Sequence, residues 1–143
     1  MKIFTIFLAL VMGCGGAKFQ NPSEINFEIV SQHEIGGENT ASQKAILSTK
    51  EFNETFRDKE FANSITSIDF NNQSVAYISI GEKNSGGYAV EINKVIETAD
   101  KIEILYTINS PEPTDFVTTV MTQPYCVIVF SNKQNKPITF ITE

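Results

Sequence analysis

The sequence is poor in the residues that most catalytic and metal sites are built from. It contains one histidine, His33, and two cysteines, Cys14 and Cys126. A zinc site takes three or four Cys, His or carboxylate ligands. The neighbours of His33 (Gln32, Glu34 and Ile35) give no ligand spacing, so neither a metal nor a cofactor is expected. Ser85-Gly86-Gly87 lacks the strand-turn-helix setting of a nucleophile elbow. The stretch from Gly81 to Gly87 lacks the glycine spacing and the Lys-Ser/Thr pair of a phosphate loop. The expectation is a non-enzymatic chain with no catalytic residue.

Positive charge is scarce as well. Eleven Lys and Arg face 17 Asp and Glu, Arg57 is the single arginine, and the net charge is −6. Binding to a phosphate backbone depends on Lys and Arg neutralising it. Nucleic acid is therefore not an expected partner, and anionic lipid headgroups are equally poor ones.

A membrane-spanning run is missing too. The apolar stretch Ile3–Met12 has ten residues, where a spanning helix needs about 20. With Lys2 before it and Val11-Met12-Gly13-Cys14 closing it, this stretch has the form of a bacterial lipoprotein signal. The expected organisation is a signal peptide over 1–13, a lipid-bearing Cys14, a flexible tether over 14–23 and one domain over 24–143. Attachment to the membrane would run through palmitate-type lipid on Cys14. That places the chain in the bacterial cell envelope, at the outer membrane. Cys126 then has no partner for an internal disulfide. It lies in the unbroken apolar run Tyr125–Phe130, the setting of a buried, inert thiol.

What remains is enough for a core: 41% of residues are apolar and 11 are phenylalanine, which excludes a disordered chain. Ile25, Phe27 and Ile29 share one face before Val30 breaks phase, so Ile25–Ile35 reads as a strand ended by Gly36-Gly37. Glu38–Ser42 reads as loop. Ser48-Thr49-Lys50-Glu51 is a capping box, with Leu47 and Phe52 as its hydrophobic staple. The box predicts a helix over 49–59 that packs Phe52 and Phe56 from one face.

From Val75 onward the pattern is that of strands. Val75–Ile80, a strand from Tyr88 with a bulge at Val95-Ile96, a turn at Thr98–Lys101 and a strand over Ile102–Ile108 follow in order. Glu91 and Glu103 are placed to face each other across this hairpin. Pro111 and Pro113 end the strand. Tyr125–Phe130, apolar on both faces, predicts a central doubly covered strand. Asn132–Lys136 is a turn and Ile138–Ile141 a last strand. The fold class is α+β: a mainly antiparallel sheet, curved or sandwich-like, with one short helix packed on it.

Two motifs stand out. Asn84-Ser85-Gly86-Gly87-Tyr88 and Thr122-Gln123-Pro124-Tyr125 each join turn residues to a tyrosine ahead of a strand. Gly86, Gly87, Tyr88, Pro124 and Tyr125 are therefore the candidate binding residues. Two readings stay open for them: tight turns with aromatic corners, or a binding rim.

These motifs, with the hairpin and the proline-containing loop between them, resemble the C-terminal domain of the PrcB protease complex subunit family. Ser67-Ile68-Asp69-Phe70 and the Phe52/Phe56 helix also fit that pattern. The family's Thr before Gly-Gly-Tyr is Ser85 here. The resemblance implies a lipoprotein that binds and stabilises a secreted subtilisin-like protease complex, and it transfers no catalytic residue. Surface complementarity, or an exposed strand edge adding to a partner's sheet, would carry the binding. The alternative is a small-ligand or glycan-binding lipoprotein that uses Tyr88 and Tyr125.

Cys14→Ala should leave the chain in the soluble fraction and without label after growth on radioactive palmitate. Label retained on the alanine variant would show that the anchor lies elsewhere.

Overall fold

In the computed structural model of the chain, residues 21–143 are described, residue 66 excepted. The expected signal peptide, Cys14 and most of the expected tether lie outside the described residues. The order of elements is β1 (Ser23–Glu24), β2 (Phe27–His33), β3 (Ser42–Ile46), α1 (Thr49–Thr55), a 3₁₀ turn (Glu60–Ser64), β4 (Gln73–Ser79), β5 (Ala89–Glu97), β6 (Ile102–Asn109), β7 (Tyr125–Ser131) and β8 (Ile138–Thr142). Two four-stranded sheets pack face to face, β1-β5-β6-β8 against β2-β7-β4-β3. This is the mainly antiparallel, sandwich-like architecture that the strand pattern implies.

The central pair is β4 and β7, antiparallel from Gln73↔Ser131 to Ser79↔Tyr125. Successive side chains alternate between faces, so each strand feeds two cores. Ala76, Ile78, Cys126, Ile128 and Phe130 meet Val90, Ile92, Val95, Ile102, Ile104 and Tyr106 between the sheets. Val75, Tyr77, Tyr125, Val127 and Val129 point the other way, onto Ile46 and Phe56. That is why Tyr125–Phe130 has no polar alternation. The helical segment forms a third layer: Phe56 lies edge-on to Phe52, Phe61 and Tyr77 at ring separations of 5.0, 5.2 and 5.3 Å.

The start of the helix follows the sequence closely. The Glu51 amide donates to Ser48 Oγ at 3.2 Å. The return bond differs: the Glu51 carboxylate accepts from the Leu47 amide at 2.8 Å, not from Ser48. The helix also stops at Thr55, short of the expected Lys59. Asn53 and Thr55 are weak helix formers, and Phe56 leaves helical geometry (φ −112°, ψ 17°). Lys59 instead donates to the carbonyls of Gly36 and Gly37, both at 2.8 Å, tying this segment to the end of β2.

Three further expectations change. The polar segment Ser42–Ile46 is a strand, an edge strand with one buried residue, Ile46. Its apolar content is too low to show as a period. The β5–β6 bulge sits at Asn93, between the pairs Ile92↔Tyr106 and Lys94↔Leu105, rather than at Val95-Ile96. The extra residue returns Val95 to the core after Ile92. In this register Glu91 pairs with Thr107 and Glu103 with Ile96, so the two carboxylates do not face each other. The phase break at Val30 is likewise a register shift, between Ile29 and Ser31.

The 132–137 turn does not form a hairpin. It carries the chain from one sheet to the other, and β8 runs parallel to β6. Asn132 holds the turn, accepting from the Lys136 amide at 2.8 Å and donating to Ser74 Oγ at 3.0 Å. The buried Lys136 ammonium donates to the Thr98 carbonyl at 2.7 Å and pairs with Glu97 at 2.9 Å.

Phe56→Ala should destabilise the domain by about 3–5 kcal/mol and Ser48→Ala by about 1 kcal/mol, both read from urea midpoints. A smaller loss for Phe56 than for Ser48 would show that the helical layer is not part of the core.

Candidate functional site

The two glycine and proline motifs, far apart in sequence, meet at one end of the sandwich. Lys83 and Thr122 exchange a pair of backbone bonds, at 2.8 and 2.9 Å. Thr122 Oγ1 donates to the Ser85 carbonyl at 2.8 Å, and the Gly86 amide donates to the Thr118 carbonyl at 3.0 Å. Glu34, just past β2, clamps both loops. Its carbonyl accepts from the Gln123 amide at 2.9 Å, and its carboxylate accepts from the Gly87 amide at 3.3 Å. Buried Pro124 offers its carbonyl to the Ile80 amide at 3.1 Å.

Both glycines are required here. A Cβ on Gly86 would lie 2.7 Å from Thr118 Oγ1. Gly87 has φ +88°, and a Cβ on it would lie 2.9 Å from a Val117 methyl. The glycines let the 81–88 loop lie flush against the β6–β7 connection, residues 110–124.

The tyrosines part company. Tyr125 is 2% exposed on the helical side of its sheet. Its ring stacks on Phe61 at 4.7 Å, and its hydroxyl shares a 2.9 Å hydrogen bond with Ser31 Oγ. It forms part of the floor of a groove of about 780 Å³ between β2 and residues 58–61, beside exposed His33. Tyr88 packs on the opposite side, against the core between the sheets, with Lys83 Nζ 5.5 Å from its ring centre. Gly86, Gly87, Tyr88, Pro124 and Tyr125 thus frame one corner of the sandwich, but the two tyrosines do not line one pocket.

What this frame presents is a different set of side chains. On the β6–β7 connection Phe116 is fully exposed, Val120 and Met121 are more than half exposed, and Val117 is 38% exposed. The backbone behind them is pinned. The Glu112 amide donates to the Asp115 carboxylate at 2.8 Å, the Asp115 amide donates to the Glu112 carbonyl at 3.0 Å, and Thr118 and Thr122 are held as above. Sequence inspection passes over these residues because the loop looks like a proline-bounded connector. The signal was present in Phe116-Val117-Thr118-Thr119-Val120-Met121, an apolar cluster with no strand partner to cover it.

Two buried groups are held in their neutral form. Burial pushes the Cys126 thiol up to about 12 and the Tyr77 hydroxyl to about 12. Among the described residues, no three His, Cys, Asp or Glu side chains are grouped to hold a metal. No helix among them is long and apolar enough to cross a membrane.

This corner defines a β-sandwich domain with an exposed, apolar loop surface. Residues 74–131, which run from β4 through β7, match the family described as PrcB C-terminal, and the chain carries a PrcB-like domain there. Both motifs and the exposed loop fall inside that span, whereas Ser67–Phe70, α1 and β8 fall outside it. The chain is also 25% identical to an uncharacterized protein of Methanocaldococcus jannaschii over 159 aligned positions, covering 93% of this chain and 90% of the relative. No solved structure matches.

A neutral thiol is retained in the folded chain where the unfolded one ionises. The folded state of Cys126 therefore binds its proton up to a pKa of about 12, against 9.0 for the free group. Stability from this group is complete below pH 9 and falls as pH rises from there. Cys126 should resist alkylation at pH 8 until denaturant is added, whereas rapid labelling of the native chain would contradict its burial.

Proposed function

We propose that this chain is a non-catalytic, lipid-anchored binding protein of the bacterial cell envelope. In this reading it assembles or stabilises a partner protein, a secreted subtilisin-like protease complex. The observation that carries it is the loop surface of Phe116, Val117, Val120 and Met121, exposed on a loop whose Thr118 and Thr122 hydrogen-bond to the facing 83–86 loop. Exposed apolar side chains grouped within six residues mark a contact site, and an exposed aromatic suits an interface anchor. Pre-ordering reduces the entropy lost on binding. The PrcB-like domain supports the choice of partner, and the Ile3–Cys14 signal supports the anchor and the location at the outer membrane.

Gly86, Gly87, Tyr88, Pro124 and Tyr125 would act here by shaping the loop from beneath. The small-ligand or glycan reading asks both tyrosines to face one ligand, and their placement on opposite sides of a sheet gives it no support.

The double variant Phe116→Ser, Met121→Ser should lower recovery of the protease partner from detergent-solubilised envelope by at least about tenfold, with an unchanged urea midpoint. Undiminished recovery would remove the loop from the interface.

A further inference from the structure

The sandwich has four edge strands, and three are blunted. β1 has two residues, and its Glu24 pairs with Lys94 at 3.8 Å. β2 is bulged at Val30 and carries Glu28. β3 carries Lys44, held at 3.7 Å by Glu38. Short length, bulges and charge are the usual devices that keep an edge from pairing. β8 has none of them: Ile138-Thr139-Phe140-Ile141-Thr142 is uncharged, and its register with β6 is unbroken.

The free backbone groups of β8 can be assigned. The Pro137 carbonyl accepts from the Ile102 amide and the Glu143 amide donates to the Tyr106 carbonyl, both at 2.9 Å. Odd-numbered residues therefore face β6. Ile138, Phe140 and Thr142 point their amides and carbonyls outward, and no hydrogen bond from another described element reaches them.

The facing edge strand β3 is incompletely covered on its inner side. Gln43 and Ala45 pair with Ile78 and Ala76, which lie in the core between the sheets, so their side chains point to that same side. The Gln43 amide donates to the Tyr106 hydroxyl across the gap. Yet Gln43 and Ala45 are exposed, and Ile138 and Phe140 are only partly buried. The inner faces of β3 and β8 are thus both incompletely covered.

We propose that β8 receives an extended segment of a partner protein as a fifth strand, laid over Gln43 and Ala45. This deepens the protein-binding reading above and rests on it. The fitting segment is uncharged and alternates, with apolar side chains turned onto Ala45 and Phe140 and polar ones turned to solvent. A charge turned inward would be desolvated without a partner. A second copy pairing β8 to β8 is the competing occupant, and dimerisation of the full chain that is lost with Thr142→Pro, with no peptide enriched, overturns the proposal.

The test uses the full chain and a phage-displayed heptapeptide library. Selection should enrich uncharged, alternating sequences. Thr142→Pro removes one outward amide without touching the β6 ladder, a tolerated place for proline. Ala45→Glu leaves the β8 backbone intact and puts a carboxylate under the incoming strand. Each should weaken binding of the selected peptides about tenfold or more, while Glu54→Gln, on the exposed face of the helix, leaves it unchanged. Amide exchange at Ile138, Phe140 and Thr142 should slow on peptide addition. Equal binding to both edge variants, or no enrichment, overturns the strand-addition proposal. Binding lost only with Phe116→Ser overturns it too, yet leaves the protein-binding reading standing. Undiminished partner recovery with the Phe116/Met121 variant undermines the loop reading without altering the peptide result.

Discussion

The β4–β7 ladder carries two cores at once, and every other layer is placed by what those strands show on each face. One face supplies Ala76, Ile78, Cys126, Ile128 and Phe130 to the facing sheet. The other supplies Val75, Tyr77, Val127 and Val129 to the helical segment. A slip of one residue in this register would exchange the two sets and lose both cores. The pairing also fixes where β7 begins, and therefore where Pro124 and the loop before it must sit. The loop at this corner has a fixed base because it leads into a strand buried over six of its seven residues.

The same constraint separates residues that sequence proximity groups together. Tyr125 opens β7 on its helical side, so it stacks on Phe61 and bonds Ser31. Tyr88 precedes a strand of the other sheet and packs between the sheets. Their motifs touch through the Lys83–Thr122 bridge, but their rings diverge. Glycine and proline at that bridge serve close backbone approach, and the contact surface passes to Phe116 and its neighbours. The exposed edge of β8 has a related origin. The 132–137 turn sends the last strand across to the second sheet, where it forms that sheet's edge.

Much of the fold is legible in the residues because single-segment physics decides it. Ser48 and Glu51 announce the helix start, since a cap needs only local groups. Tyr125–Phe130 announces a doubly covered strand because no polar residue interrupts it. The β5–β6 alternation announces a one-sided hairpin, although its bulge falls at Asn93, where turn and core register must be reconciled. The strand Ser42–Ile46 is not legible, because an edge strand with exposed Gln43 and Ala45 carries almost no apolar period.

By itself the sequence determines the identity of the core strands, the inert setting of Cys126, the poverty in catalytic side chains and the PrcB-like character of the central span. Each follows from composition, local spacing or a continuous motif. Tertiary structure alone decides which surfaces are left uncovered. Phe116 and Phe56 are the same residue type, one fully exposed and the other 2% exposed. The difference lies in the register of distant strands and in a turn that changes sheets, and neither leaves a mark on the segment concerned.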